Sequence, residues 1–414
     1  MTGNDRFVDL IPANGQPAAH DDAVPPRSAE AGAARLRRSV EGLVGVPATE
    51  GNHITVLRNG DRIFPAMLDA IRSADRTIDM LTFVYWKGDI AAEFAHALAE
   101  RARAGVRVRL LLDAIGARHL DKPLVQEMQD AGVRVEWFRP PTSLKVWEAN
   151  HRTHRKVLIC DEDVAFTGGV GIAEEWCGDA RDETEWRDTH FRVRGPAVDG
   201  LRAAFAQNWA ETGNPLFEPD VDRFPDQPQC GDSVVQVVRG SSDVGWSDIA
   251  TVFRALIQRA QRRLRITTAY FNPDDDYITL LGQAVDRGVL VQVLVPGDHI
   301  DKRTSQIVAQ EDYDDVLAAG VELYTFDVSM LHAKVMTIDG EAAVVGSPNL
   351  NQRSMNLDEE VALVILDPAV TRTLDEDFEH DLTRSTRVTA EEWAKRGLVQ
   401  RGLEKATSVV EDFF

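Results

Sequence analysis

The chain has 414 residues, 43% of them hydrophobic; at roughly 100–200 residues per domain this predicts two or three domains with a sizeable buried core. The formal net charge of −21 argues against a nonspecific nucleic-acid coat, whose grip relies on cations that neutralise phosphates. No apolar run approaches the roughly 20 residues that a helix needs to cross a bilayer.

Residues 1 to about 33 are rich in Ala, Pro and small polar residues, a composition without a fixed fold, and lack the basic-then-apolar order of a secretory signal. A short basic helix is predicted over 31–43, with Arg35, Arg37 and Arg38. A strand over 53–57 follows, then a helix over 61–73 whose apolar Ile63, Met67, Leu68 and Ile71 recur at helical spacing. A buried strand over 77–85, an Ala-rich helix over 89–104 ended near Gly105 and a strand over 106–112 complete an alternation that argues for α/β layers. The same order returns as a helix over 252–262, a strand over 264–271, a helix over 277–287 and a strand over 289–295. Residues 131–138 and 319–326 are near-copies, each read as a helix end, a Gly stop and a strand. The stretch 214–233, with Pro215, Pro219, Pro225 and Pro228, suits a linker. The chain therefore reads as an internal duplication: a tail over 1–50, repeats over 51–214 and 234–384 joined by 215–233, and a C-terminal amphipathic helix over 385–414. Thr389 and Glu392 have capping-box spacing there, and Trp393, Leu398, Leu403 and Val410 mark the apolar side. Cys160, Cys177 and Cys230 are odd in number and scattered, so neither a disulfide framework nor a zinc knuckle is expected, and a reducing compartment is the simpler reading.

The chemistry-bearing residues recur with the halves. His154, Lys156 and Asp161, followed by Gly168-Gly169, return at one constant offset as His332, Lys334 and Asp339, followed by Gly346-Ser347. After each His the pattern alternates as a strand, over 156–159 and 334–338, and a turn leads into a second strand over 164–167 or 342–345. Side chains two apart on a strand share a face, so imidazole and ammonium would project together into one cleft. Asp161 and Asp339, at the strand ends, are expected outside the reaction centre. Two His and two Lys so gathered can supply a nucleophile, a proton donor and positive charge without metal. The acidic runs Asp274-Asp275-Asp276, Glu311-Asp312 and Asp314-Asp315 lack the Gly and closing Glu of a calcium loop and read as surface acid. His151 reads as structural or as substrate rim, and His190 and His299 as exposed or satisfied. Leu144 to Trp147 and Val328 to Leu331, which precede the two triplets, are either core packing or a lipid-contacting rim.

These motifs resemble the paired His-Lys-Asp signature of the phospholipase D superfamily. Their surroundings, Asn150 to Lys156, Phe166 to Gly169, Trp186 to His190, Leu331 to Lys334, and Val344 to Leu350 with Arg353-Ser354, are similar to its bacterial cardiolipin synthase branch. The likeness spans about 53–382 and the Trp393 tail. It implies an α/β fold in which two phospholipase D-like α/β/α sandwich halves pack around one shared active site, with a covalent phosphohistidine intermediate. It assigns the site to His154, Lys156, Asp161, His332, Lys334 and Asp339, with His154 as nucleophile and His332 as general acid. It further implies an acid downstream of each histidine that orients the ring, and Asp188 and Glu360 fit, each serving the histidine of its own half; Glu359 competes in the second half. Ser347 and Asn349 would bind the substrate phosphate, whereas Gly169 and Gly171 stand at the equivalent positions of the first copy. The implied activity is phosphatidyl transfer to an alcohol acceptor such as phosphatidylglycerol. Hydrolysis by a phospholipase D is the alternative, a nuclease is less favoured, and the complete triplets argue against a catalytically dead scaffold. No cofactor, metal or nucleic-acid partner is expected; the partner is a phospholipid, met peripherally at the inner, cytoplasmic face of the cell membrane.

Overall fold

The computed structural model describes residues 29–141, 150–218, 225–241, 247–301, 306–307 and 310–395. After α1 (Ala29–Val44), a first succession of elements runs β1 (Thr49–Arg58), α2 (Gly60–Ser73), β2 (Thr77–Thr82), α3 (Asp89–Arg103), β3 (Arg107–Asp113), α4 (Lys122–Asp130), β4 (Arg134–Phe138), β5 (Val157–Cys160), β6 (Val164–Gly168), β7 (Thr189–Arg194) and α5 (Ala197–Glu211). A second runs β8 (Ser233–Gly240), α6 (Asp248–Arg259), β9 (Arg263–Thr267), β10 (Phe271–Asn272), α7 (Asp275–Asp286), β11 (Leu290–Pro296), α8 (Tyr313–Ala318) and β12 (Glu322–Phe326). It continues through β13 (Val335–Ile338), β14 (Ala342–Gly346), β15 (Leu350–Asn351), α9 (Gln352–Asn356), β16 (Glu360–Leu366) and α10 (Pro368–Leu382), and ends with β17 (Ser385–Val388) and α11 (Ala390–Ala394).

All these strands except β10 and β15 share one continuous sheet. Outward from the central antiparallel pair β1–β8, the order is β7-β6-β5-β2-β3-β4 on one side and β16-β14-β13-β9-β11-β12 on the other, so the duplication is visible as a repeated strand order. Within this sheet, among the described residues, only β2-β3-β4 and β9-β11-β12 run parallel, and these are the strands that alternate with helices. Of these, β2, β3 and β11 are buried along nearly their whole length, and β3 and β11 accordingly carry the Val/Leu runs. The predicted stripe Ile63, Met67, Leu68 and Ile71 of α2 packs with α3 and α4 into one core on the first half. The opposite face of the sheet is covered by α5 and α10, whose Leu201, Phe205, Val370 and Leu374 share one core with strands of both halves. Gly132 and Gly320, at φ 101° and 80°, end α4 and α8 in the left-handed region that favours glycine, which accounts for the near-copies around them.

Several expectations are corrected by the structure. Residues 29–44 do not trail from the first half: Leu36 and Val40 of α1 are buried in the core of the second. The strand expected over 264–271 splits, because the chain leaves the main sheet after Thr267 and Phe271-Asn272 pairs instead with Leu350-Asn351. Residues 385–388 are not helical; Ser-Thr-Arg-Val, with two β-branched residues, adds an antiparallel edge strand to β12. Thr389 does cap a helix, but the described part is only Ala390–Ala394, and Leu398, Leu403 and Val410 lie outside the described residues, as does most of the N-terminal tail.

Asp161 and Asp339 have a shared structural task, away from the site as strand phase implied. Each occupies a turn at positive φ and accepts three backbone N–H groups at the start of a neighbouring strand. For Asp161 these are from Asp75, Arg76 and Thr77 at 2.7–2.9 Å, and for Asp339 from Gln261, Arg262 and Arg263 at 2.7–3.0 Å. Replacing either by Asn turns one acceptor into a donor facing another donor, a mismatch worth about 1–3 kcal/mol. Asp161→Asn and Asp339→Asn should lower the melting temperature by a few degrees, while turnover per folded molecule changes little; a calorimetric scan beside a rate measurement separates the two.

Candidate active site

Each histidine is placed by the half it does not belong to. Thr153 bridges Glu359, and the His154 N–H donates to the Glu359 carbonyl at 2.9 Å. In the mirrored contact Arg187 bridges Leu331, and the His332 N–H donates to the Arg187 carbonyl at 2.7 Å. The ring partners follow. His154 Nδ1–H donates to Glu360 Oε1 at 3.0 Å, and His332 Nδ1–H to Asp188 Oδ2 at 2.8 Å. This corrects the expectation that each acid serves its own half. The strand order supplies the reason: β7 and β16 flank the central β1–β8 pair, and the acids at their starts reach across it. Glu359 does not orient His332; it pairs with Arg139 at 2.9 Å and accepts from Asn208.

The buried acids are themselves held. Asp188 accepts the Trp176 indole N–H at 2.8 Å and the Thr189 backbone N–H at 2.7 Å. Glu360 instead accepts the Ser347 hydroxyl. Ser347 thus gives its hydroxyl to the orienting acid, and neither it nor Lys334 is among the residues that line the cavity. Its counterpart has to be glycine, since a Cβ on Gly169 would lie 2.3 Å from Asp188 Oδ1. Gly171, the counterpart of Asn349, has Val84 packed where its Cβ would go, at 2.6 Å. Asn349 itself does line the cavity.

That cavity has a volume of about 430 Å³ and is lined by His154, Lys156 and His332 together. His154 lies edge-on to Phe83, and His332 packs against Trp176 and Trp186 at 5.1 and 5.6 Å between ring centres. The two His-x-Lys segments are irregular, with regular pairing beginning only at Val157 and Val335. Each ammonium turns back onto the carbonyl of its own histidine, at 2.8 Å for Lys156 and 2.6 Å for Lys334. Burial pushes His154 down to about 4 against the pull of Glu360, so it is neutral at physiological pH. With Nδ1–H given to Glu360, its Nε2 carries the free lone pair. Burial opposes the charge of Glu360 too, yet His154 and Lys156 hold its carboxyl below the usual range. Burial also lowers Lys156 to about 8 and Lys334 to about 7, against the pull of Glu360 and of Asp188. Because both ammonium groups are lost as pH rises through 7 and 8, and His154 gains a proton only near 4, kcat/KM should plateau between these limits. A profile that stays flat from pH 7 to 9 would contradict this use of the lysines.

Of the remaining sequence readings, His151 donates to the Leu357 carbonyl at 3.2 Å, and His299 lies 3.5 Å from Glu183. His190 is neither exposed nor satisfied: it is buried, its Nδ1 has no partner, and burial pushes it down to about 4. Ser329, Met330 and Leu331 are fully buried, so that approach is core rather than a lipid rim; Leu144 to Trp147 lie outside the described residues. Asp274 caps α7 and pairs with Arg254. Among the described residues no three His, Cys, Asp or Glu side chains could hold a metal ion together. Trp176, Asn272 and Asp358 line the cavity without having been singled out, because isolated residues carry no periodic or spacing signal.

Residues 67–206 and 253–382 match the family model described as cardiolipin synthase, PLD-like domain. Among curated proteins, cardiolipin synthase 2 of Bacillus anthracis is 34% identical over 350 residues, covering 84% of this chain and 68% of that protein. The cardiolipin synthase of Geobacillus sp. (strain WCH70) is 32% identical over 366 residues, with 88% and 73% covered. Among solved structures, a phosphatidylserine synthase from Haemophilus influenzae superposes with a TM-score of 0.68 at 14% identity, over 92% of this chain and all of that one. A polyphosphate kinase from Porphyromonas gingivalis does so at 0.55 and 16%, over 88% and 53%. At these identities the structural likeness concerns the fold alone.

Proposed function

Since the chain belongs to the cardiolipin synthase family of phospholipase D-like proteins, we propose that its paired histidines carry a phosphatidyl group from one alcohol to another. The chain is a phosphatidyltransferase of the cardiolipin synthase type, and its substrate is a phospholipid. The observation that carries the mechanism is that both histidines open into one cavity, each with Nδ1 tied to a buried carboxylate from the opposite half.

In the first step His154 Nε2 attacks phosphorus, the bond from phosphorus to the headgroup oxygen breaks, and His332 gives its proton to the leaving alkoxide. Lys156 and Lys334 stabilise the charge that grows on the other phosphoryl oxygens. In the second step the hydroxyl of an acceptor attacks, its proton passes to His332, and the phosphorus–nitrogen bond breaks with the electron pair returning to Nε2. Phosphatidylglycerol in both roles yields cardiolipin and glycerol. Glu360 and Asp188 fix the tautomer of each ring and favour the imidazolium that forms in turn.

A lipid donor requires a membrane surface. Among the described residues no helix is long and apolar enough to cross a membrane, and we place the chain peripherally, at the inner face of the cell membrane. The net charge of −21 argues against a nucleic-acid substrate. Purified protein incubated in chelator with labelled phosphatidylglycerol vesicles should release cardiolipin and glycerol in equal amounts. Phosphatidic acid as the sole product would make it a hydrolase, and cleavage of DNA without lipid products would make it a nuclease.

A further inference from the structure

Each orienting acid is held a second time, by its backbone. Arg155 stands between His154 and Lys156 in the chain, yet it is only 1% exposed and does not line the cavity. Its guanidinium reaches into the second half instead. Glu360 and Gly240 face each other at the end of the β8–β16 ladder. Arg155 closes that end, donating Nε–H to the Glu360 carbonyl at 3.1 Å and Nη2–H to the Gly240 carbonyl at 2.9 Å. Its Nη1 is anchored on α5 of its own half, on the Ala204 carbonyl at 2.8 Å and Asn208 Oδ1 at 3.1 Å. The second copy has Ala333 at the matching place, between His332 and Lys334. There the guanidinium comes from the other side of the crossing. Arg187, next to Asp188 in the chain, is buried and lines a small cavity together with Ala333, apart from the active site. It donates Nη1–H to the Asp188 carbonyl at 2.6 Å and to Thr189 Oγ1 at 2.8 Å, while its Nε–H holds Asp381 of α10 at 2.9 Å.

We propose that Arg155 and Arg187 are positioning residues of the transfer reaction, each pinning the backbone of one acid so that its carboxylate stays on the histidine of the opposite half. The assignment rests on the phosphohistidine reading above. Neither guanidinium lines the active-site cavity, so neither meets the substrate. Taking a guanidinium out of water is costly and is offset only by thorough hydrogen bonding, so packing alone does not call for a charge at either place. What the charge supplies is geometry: a planar fork whose donors have fixed directions, which a lysine lacks. The Glu360 carboxylate is one end of a side chain whose other end is the pinned backbone. Displacing it by about 1 Å would break its 3.0 Å bond to His154 Nδ1 and free the ring, a misplacement of the size that costs about 10²-fold in rate. Arg155 serves the dyad of the nucleophile and Arg187 the dyad of the proton donor. Their loss should therefore be felt at different points of the reaction.

Rapid quench with a radiolabelled p-nitrophenyl donor reads two quantities, the rate at which label enters the protein and the fraction of chains labelled. A residue needed only for folding would lower the fraction and leave the rate. Arg155→Lys should lower the rate by about 10- to 100-fold, whatever fraction folds. Arg187→Lys should be labelled at close to the wild-type rate, because this leaving group needs no proton, yet should turn over natural phosphatidylglycerol more slowly by about tenfold or more. Acting through an acid leaves a second signature. Adding Arg155→Lys to Glu360→Gln, or Arg187→Lys to Asp188→Asn, should cost less than about threefold further, since the partner is already disabled. Arg155→Gln, a shorter planar donor, gives the same reading if the lysine variant does not fold, and the Arg187 pair tests the relation at the other dyad. Losses that multiply in full in the double variants, or a lower labelled fraction at an unchanged rate, overturn the assignment. A wild type that takes up no label at all overturns the phosphohistidine reading, and this one with it.

Discussion

Replacing His154 by Ala should abolish turnover, by more than about 10⁴-fold, and with it all trapping of a phosphorylated enzyme. Removing a nucleophile from a triad costs this much or more elsewhere, since no neighbouring group inherits its task. The nucleophile's part suits His154, which burial keeps neutral down to about pH 4, with its Nδ1–H engaged and Nε2 free. His332→Ala should also stop turnover of natural lipid, but it should still be labelled by a donor whose leaving group needs no proton. Rapid quench with a radiolabelled p-nitrophenyl donor distinguishes them. Equal labelling of the two variants would overturn the division of roles.

The second large effect concerns the acids, and the crossed geometry makes it specific. Glu360→Gln and Asp188→Asn keep shape but remove the charge that selects one tautomer and favours imidazolium. Comparable changes cost about 10⁴-fold in a serine protease, so a loss of 10²-fold or more is expected. Their signatures should differ. Asp188→Asn disturbs His332, so a good leaving group should rescue its labelling as it does for His332→Ala. Glu360→Gln disturbs His154, and no leaving group should rescue it. Had each acid served its own half, the two signatures would be exchanged. A burst experiment with both donors therefore reads the pairing directly.

How much of this was legible in the sequence depended on whether a feature is local. The two triplets were, because a repeated spacing needs no tertiary information, and the identity of both orienting acids came with the family likeness. Their pairing was not, because it depends on the order of strands in a shared sheet, which residues far apart in the chain decide together. Ser347 illustrates the same boundary. Its place after Gly346 marked it as a site residue, but its hydroxyl turns to Glu360 because that carboxylate is buried beside it. Trp176 gave no signal at all, though it holds Asp188 and packs on His332. The strand β10 was misread for a related reason: the eight residues 264–271, rich in β-branched and aromatic side chains, do not reveal where the chain leaves its sheet.

The crossed pairs also govern when the molecule becomes reactive. A ribosome that has finished the first succession of elements has already made His154 and Lys156, but the carboxylate that sets the His154 ring arrives two hundred residues later, with Glu360. Until β16 takes its place beside β8, the His154 imidazole has no carboxylate partner, and the first succession of elements alone lacks His332. A truncated product, or one whose halves have slipped apart, is idle on both counts at once, since neither dyad survives separation. For a protein that opens phosphodiester bonds in lipid, this amounts to a completion signal: an unfinished copy lacks both dyads.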